Sequence, residues 1–161
     1  MKETVLAAAL ALSLVSPAVL AAETADVVVV GAGAAGLSAS IGAAARGAKV
    51  ILLEKTGDAG GNTAFASLGL NAAATPDQAA ARIMGDSATL FAADTIRYGH
   101  QFNDAALVRA MTVTSAPALA WLETLGAKLC LRITPVGSEA RPRLMAPCDG
   151  TAVGPLLIQV L

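Results

Sequence analysis

Three glycines and one glutamate have the types and spacing needed to hold a dinucleotide. Gly31, Gly33 and Gly36 follow directly on the β-branched run 27–30, and Glu54 lies 18 residues after Gly36. The first glycine permits a tight exit from a strand, the second lets the backbone approach a pyrophosphate, and the third lets a helix pack closely on the sheet. Glu54 then lies where a carboxylate can accept hydrogen bonds from ribose hydroxyls.

The elements that must position these residues are predicted in the required order. The run 27–30 is typical of a strand buried on both faces. A helix of small residues is predicted from the glycine turn to about Arg46, ending at Gly47, and the apolar run 50–53 predicts a second strand. We therefore expect an α/β fold with a Rossmann-like β–α–β unit, whose helix presents free N–H groups and a positive dipole end to phosphates. The alternative is an ordinary β–α–β unit with a glycine-rich turn, and the position of Glu54 favours dinucleotide binding over it.

The segment after Glu54 resembles that of a known family. The flavoprotein subunits of the fumarate reductase and succinate dehydrogenase superfamily carry Glu-Lys, then Gly-Gly-Asn-Ser/Thr, then Ala-x-Gly-Gly-Met-Asn. The branch most similar to this chain is that of the soluble, periplasmic fumarate reductases of flavocytochrome c type and their urocanate-reductase relatives. The chain departs from the pattern at Leu68, where the family has a glycine, and at Leu70. The matching residues are Glu54, Lys55, Gly60, Gly61, Asn62, Thr63, Ala66, Gly69 and Asn71.

The resemblance implies that the cofactor is FAD. Membrane-bound succinate dehydrogenases carry a histidine at the position of Asn62, and it bonds covalently to the flavin; Asn62 therefore implies non-covalent FAD. Gly69 is implied to border the substrate as well, and the bulkier Leu68 to change how closely the backbone approaches the flavin or substrate. The implied FAD-binding residues are Gly31, Gly33, Ala35, Gly36, Glu54, Lys55, Asn62, Thr63 and Gly69.

The resemblance also implies an oxidoreductase. In the family, hydride passes from the flavin to an activated double bond such as that of fumarate, and an arginine donates the proton. Further arginines and histidines hold the substrate carboxylates, a geometry that suits a small dicarboxylate. These residues belong to a capping domain and to later segments, so no catalytic residue and no metal ligand is assigned in this sequence.

Three interpretations follow from these observations. The chain is the N-terminal part of a fumarate-reductase-like enzyme, or of a relative that acts on urocanate, a ketosteroid or an amino acid, or it is a non-catalytic nucleotide-binding remnant. Residues 22–161 are expected to form the N-terminal part of an FAD-binding domain that is incomplete at its C-terminus, without the capping domain. The last predicted helix, opened by Gly154, stops at Leu161 without a C-cap. We therefore expect a fragment or a prematurely ended chain that is inactive alone.

Residues 1–21 are predicted to be a secretory signal peptide. Lys2 precedes the apolar core 5–15, Pro17 breaks it, and small residues precede a mature start at Ala22, so the protein is expected in the periplasm. This core is shorter than the ~20 apolar residues of a membrane-spanning helix; the alternative is a buried N-terminal helix. No mature segment is expected to span a bilayer. The net charge of −1 and the absence of a basic cluster argue against nucleic-acid binding.

Cys130 and Cys148 are the only cysteines. A disulfide in an oxidising compartment and two buried thiols are equally supported. No Cys-x-x-Cys-His motif is present, so a cytochrome c that donates electrons would be a separate partner.

The remaining segment is predicted to be mostly helical. A helical region starts at Thr75-Pro76 and breaks near Gly85, and a second helix is capped by Asp104 and restarts or kinks at Pro117. The only histidine, His100, lies in a polar turn and is expected to have a surface role rather than that of a catalytic base.

Residues 127–150 are predicted to contain one strand and a long irregular segment. The strand covers 127–133 and includes Cys130, and residues 134–150 are expected to be irregular. Arg141 and Arg143 lie in that segment as exposed arginines, either in contact with an anionic ligand or without a specific role.

Overall fold

The computed structural model describes residues 23–133 and 141–161, which form a mixed helix and strand fold. The predicted signal peptide and the cleavage site before Ala22 lie outside the described residues, as do residues 134–140 of the segment expected to be irregular. The elements, in chain order, are β1 (Val27–Val30), α1 (Ala34–Ala44), β2 (Val50–Leu53), a 3₁₀ helix (Gly61–Phe65), β3 (Leu70–Asn71), α2 (Pro76–Ala80), α3 (Ala88–Tyr98), α4 (Ala105–Thr124), β4 (Leu129–Leu131), β5 (Leu144–Pro147) and α5 (Val153–Val160).

The N-terminal unit is β1–α1–β2, as expected. The two strands pair in parallel, with Val27 opposite Val50 and Val30 opposite Leu53. Helix α1 is the crossover between them, and Gly47, at a φ of +85°, follows its last turn. The short β-branched and apolar runs pair because each is bounded by residues that stop a strand.

The expectation that β1 is buried on both faces is wrong. Val28 is 56% exposed and Val30 is 82% exposed. Val29 lies on the covered face, where its Cγ1 is close to Gly36 of α1. Within residues 23–133 and 141–161, β1 and β2 form a two-stranded sheet, and no described element packs over the outer valines.

A second sheet contains β3, β5 and β4 in that order, with antiparallel pairing. All of Leu144–Pro147 is buried, and β5 is the central strand. The expectation of an irregular segment is therefore wrong for these residues. A four-residue apolar run between prolines has no periodicity that would reveal a strand; its pairing with two neighbours, distant in sequence, decides its conformation.

Helix α4 supplies the main core surface. Leu119 and Leu122 pack with Leu129, Met145 and Val153, and Trp121 packs against this cluster as a partly buried residue. Asp104 caps the helix by accepting hydrogen bonds from the N–H groups of Ala106 and Leu107. The helix continues through Pro117, so of the two expectations there the restart is wrong, and the kink stays a prediction.

By length and composition alone, α4 could cross a membrane, which corrects the expectation that no mature segment is long enough. Its inward residues, however, are buried by other parts of the chain: Val108, Thr112, Leu119 and Leu122. A core helix of a water-soluble fold passes the same test of length and composition, because both must be apolar over several turns.

The helical region before α4 is divided as predicted. Thr75 and Gln78 form a reciprocal capping box at the start of α2. Ser87 caps α3 after the break at Gly85, which has a φ of +74°. His100 lies in an exposed turn at a φ of +50°, as its polar neighbours indicate.

The two cysteines form a disulfide, which decides between the two alternatives. Cys130 lies in β4, and Cys148 directly follows β5. Antiparallel pairing places Cys130 opposite Ala146, and the N–H of Cys148 donates to the carbonyl of Lys128. The bridge therefore joins two strands that are already hydrogen-bonded.

Candidate functional site

The N-terminus of α1 has backbone donors that remain available. Gly33 is the N-cap and provides no side chain to cap the helix. The N–H of Ala34 donates to Thr63 Oγ1 at 3.1 Å, and the N–H of Leu37 donates to the carbonyl of Gly33. The N–H groups of Ala35 and Gly36 have no acceptor among the described residues. Two donors at the positive end of a helix are suited to an anion.

The glycines of this turn are required for different reasons. Gly31 has a φ of +99°, which side-chain-bearing residues rarely adopt. A Cβ on Gly36 would overlap the carbonyl oxygen of Gly31, so this glycine allows α1 to pack on the end of β1. A Cβ on Gly33 would meet only Gly60 O at 3.6 Å and Thr63 Oγ1 at 3.7 Å, which is ordinary contact. The protein itself therefore tolerates a methyl group at position 33, and the glycine there keeps the space in front of the helix open.

Glu54 is bound to the glycine turn. Its Oε2 accepts a hydrogen bond from the N–H of Ala32 at 2.7 Å. Its Oε1 accepts from both the N–H and Oγ1 of Thr56 at 3.0 Å. These hydrogen bonds lower the pKa of Glu54 to about 2. The bond from Ala32 contributes most, followed by the bonds from Thr56. The carboxylate is therefore ionised and held in one orientation at the end of β2, with lone pairs left for hydroxyl donors.

The loop 60–66 closes the other side of the turn. The N–H of Gly60 donates to the carbonyl of Ala32 at 2.8 Å. Helix α5 packs on this loop without an intervening side chain, because a Cβ on Gly154 would overlap the carbonyl oxygens of Thr63 and Ala64. Thr63 is thus held between α1 and α5.

Other predicted binding residues are not brought into this arrangement by contacts within the chain. Ala35, Lys55 and Asn62 are exposed. Gly69 packs elsewhere: a Cβ there would overlap the carbonyl oxygen of Met145 and lie 2.9 Å from Leu144 Cδ1. Close packing on β5 is therefore one reason for a glycine at position 69.

Sequence reasoning missed three contributors to the site. Ala32 and Gly60 act through backbone groups, which no residue type reveals. Thr56 orients Glu54 through its N–H and hydroxyl. Its position two residues after the carboxylate is a signal that could have identified it, since such spacing permits a local side-chain to backbone hydrogen bond.

The expectation that Arg143 is exposed is wrong. Its side chain is fully buried and pairs with Asp86 and Asp94. Its three nitrogens all donate to these carboxylates, so it does not contact a ligand. Arg141 is partly exposed.

The residues around the glycine turn fit the adenosine diphosphate half of FAD. Free helix N–H groups suit the pyrophosphate, and Gly33 carries no Cβ that would stand in front of them. An ionised carboxylate at the end of β2 suits ribose hydroxyls. Each requirement is met by an observed donor, acceptor or space.

Comparison with known proteins agrees with this chemistry. The chain is 42% identical over 139 residues to a fumarate reductase (cytochrome) of Shewanella frigidimarina, covering 86% of this chain and 24% of that protein. It is 44% identical over 138 residues to an NADH:fumarate oxidoreductase of Klebsiella pneumoniae, covering 84% of this chain and 14% of that protein. The open conformation of a flavocytochrome c3 fumarate reductase matches 99% of this chain and 27% of its own, with a TM-score of 0.80 and 34% identity.

The chain thus spans about a quarter or less of the length of these relatives. The sequence profile of the family described as FAD binding domain matches residues 26–158, which include both sheets and all the described helices except the last two residues of α5. The chain therefore belongs to the FAD binding domain family.

Proposed function

We propose that residues 22–161 are the N-terminal part of the Rossmann-like FAD-binding domain of a flavin-dependent oxidoreductase. The observation that carries the proposal is the joined arrangement of the glycine turn and Glu54, in which the ionised carboxylate accepts from Ala32 beside two free helix N–H groups. Membership of the family and the similarity to fumarate reductases support the same conclusion.

In this proposal the chain binds and orients FAD through two regions. Gly31, Gly33, Ala35 and Gly36 hold the pyrophosphate, and Glu54 holds the ribose. When bound, FAD supplies hydride transfer to an electron-poor double bond. Lys55, Asn62, Thr63 and Gly69 line the path from the ADP half to the ring. Asn62 presents an exposed amide rather than a nucleophilic imidazole, which supports non-covalent FAD.

The proposed substrate is a small dicarboxylate such as fumarate, as the names of the relatives suggest. The same fold with another substrate, such as urocanate, a ketosteroid or an amino acid, is the alternative. The proposal includes export to the periplasm through the signal peptide 1–21. It also includes a separate cytochrome c as an electron donor.

A second candidate is a non-catalytic nucleotide-binding module. The departure from the family pattern at Leu68 favours it, because a leucine that is 61% exposed stands where the family has a glycine close to the flavin or substrate. In this candidate the glycine turn still binds the ADP half of FAD, but no substrate is turned over.

Titration of the purified protein with FAD, followed by flavin fluorescence, tests the binding function. Saturable binding that ADP reverses supports the proposal, and no binding at 100 μM FAD would overturn it. We expect the 161-residue chain alone not to reduce fumarate, because the residues that the structure describes offer no positioned proton donor, and acid catalysis contributes ~10²–10⁴-fold. Viologen-linked turnover comparable to that of a complete fumarate reductase would show that this expectation is wrong.

A further inference from the structure

One buried ionic network joins three segments of the chain that are distant in sequence. Arg143 contacts Asp86 through two parallel hydrogen bonds, from Nη2 at 2.7 Å and from Nε at 2.9 Å. Its Nη1 donates to Asp94 Oδ2 at 2.9 Å. The guanidinium carbon also lies 4.8 Å from the centroid of the Phe91 ring. The Arg143 side chain is thus fully buried, with two carboxylates along the edge of the guanidinium and an aromatic ring over one face.

Two hydrogen bonds from the Gln78 side chain complete the network. Gln78 Nε2 donates to Asp86 Oδ2 at 2.8 Å and to the carbonyl of Pro142 at 2.7 Å. Burial alone would raise the pKa of Asp86, but the hydrogen bonds from Arg143 and Gln78 outweigh it and hold that pKa below its ordinary value. The carboxylate is therefore ionised, and each buried charge has a partner of opposite sign.

The network controls the position of the strand that begins beside it. Arg143 directly precedes β5, and its carbonyl oxygen accepts a hydrogen bond from the N–H of Ala72 at 3.0 Å. Met145, two residues further on, pairs with Leu70 of β3, and its carbonyl oxygen packs on Gly69. The backbone from 69 to 72 thus rests on residues 143–145.

The same backbone is held from the other side by α4. The N–H of Ala73 donates to Ser115 Oγ at 3.3 Å, and Ser115 in turn donates to the carbonyl of Thr112. Ala72 and Ala73 are buried, at 1% and 3% exposure. A shift of β5 would therefore have to move the segment 69–73 away from α4.

We propose that the Asp86–Arg143–Asp94 network is a positioning device for the backbone 69–73, and that it sets FAD affinity through the flavin-ring half of the cofactor. The inference rests on the proposed function, in which Gly69 lies on the path to the ring. Arg143 acts here as a positioning residue, since all of its nitrogens are used by Asp86 and Asp94. The ADP half contacts the glycine turn and Glu54, which this network does not touch.

The test compares the affinities of the full chain for FAD and for ADP. Asp94→Asn removes one charge at nearly unchanged shape, and Arg143→Lys keeps the charge but cannot bind both carboxylates with a planar fork. Both variants are expected to weaken FAD binding about 3- to 30-fold while leaving ADP binding within twofold, as for a residue that acts through neighbouring packing. The matched control is Arg97→Gln. The Arg97 side chain also pairs with Asp94 but is 62% exposed, so its replacement should change neither affinity.

Two results would overturn the inference. One is equal weakening of FAD and ADP binding, which indicates general destabilisation; the other is unchanged FAD binding in both folded variants. A wild-type protein that binds neither ligand would instead refute the proposed function.

A measurement on the unsubstituted chain tests the inference even where the variants do not fold. FAD, but not ADP, should slow hydrogen exchange at the amide of Ala72, which donates to Arg143. Equal protection of that amide by both ligands, or by neither, would contradict the inference.

Discussion

The carboxylate of Glu54 accepts a hydrogen bond from the backbone N–H of Ala32 at 2.7 Å, across 22 residues of sequence. This bond joins the end of β2 to the turn that starts α1. A group suited to ribose hydroxyls and a helix end suited to phosphates are therefore held in a fixed relation before any ligand arrives. Such preorganisation lowers the ordering cost of binding.

The Glu54 bond predicts a specific pH dependence of stability. The pKa of Glu54 is lowered from 4.5 to about 2 in the folded chain. A depressed pKa means that the unfolded chain binds the proton first, so the contribution is full above about pH 4.5 and is lost as the pH falls towards 2. Urea unfolding from pH 2.5 to 6 should show that Glu54→Gln lowers the midpoint at pH 6 and that the difference from wild type shrinks in acid. Glu123→Gln, at an exposed carboxylate on α4, is the control; a constant difference across this range would contradict the prediction.

Substitution of Gly33 should affect ligand binding rather than folding. Gly33→Ala places a methyl group at ordinary contact distance from the protein but in the space proposed for the pyrophosphate. We expect FAD affinity to fall at least about tenfold, or about 1.4 kcal/mol, with a small change in the urea midpoint. Gly42→Ala, in the same helix, is the matched control, because its Cβ would meet only Arg46 Nη1 at 3.7 Å. Unchanged FAD affinity in Gly33→Ala would remove the proposed role of this glycine.

Substitution of Gly36, by contrast, should lower the stability of the fold. A methyl group there overlaps the carbonyl oxygen of Gly31, so α1 must move away from β1. Overpacking of this kind destabilises by about 1–3 kcal/mol. Gly42→Ala should instead stabilise by up to about 1 kcal/mol, because alanine is the better helix former. Urea unfolding of the two variants measures this contrast, and equal stability of both would refute the close-packing explanation.

The disulfide should contribute measurably to stability. Cys130 and Cys148 are separated by 18 residues, and a loop of this size is stabilised by about 3 kcal/mol when it is closed. Dithiothreitol should therefore lower the urea midpoint of the oxidised protein, and should have no effect on the Cys130→Ser/Cys148→Ser variant. Alkylation of two thiols in the oxidised, unfolded protein would show that the bridge does not form.

The proposed export can be tested on the mature N-terminus. Processing after Ala21 should yield a periplasmic protein that begins at or near Ala22, since the segment before it has the charge, apolar core and small residues of a signal peptide. Intact-mass measurement of the periplasmic fraction checks this. Recovery of the chain with Met1 from the cytoplasm would reject the proposal.

Local sequence signals determined the β1–α1–β2 unit. The runs 27–30 and 50–53, the glycine turn between them and Gly47 specify their conformations through neighbours a few residues away. The caps at Thr75 and Asp104 are equally local, because the side chain and the N–H groups that it accepts from lie within three residues. For this reason the predicted order of strand, glycine turn, helix and strand, with Glu54 directly after β2, agrees with the structure, whereas the predicted burial of both faces of β1 does not.

Only the tertiary structure decided that Arg143 is buried and that residues 144–147 form the strand β5. The partners of Arg143 lie 57 and 49 residues away, and nothing in the local sequence distinguishes a buried arginine from an exposed one. The strand Leu144–Pro147 exists because β3 and β4 supply hydrogen bonds on both sides. The disulfide likewise depends on β4 and β5 meeting in register. In each case the deciding free energy comes from contacts that form only when distant segments pack together, whereas the glycine turn is specified by its own residues.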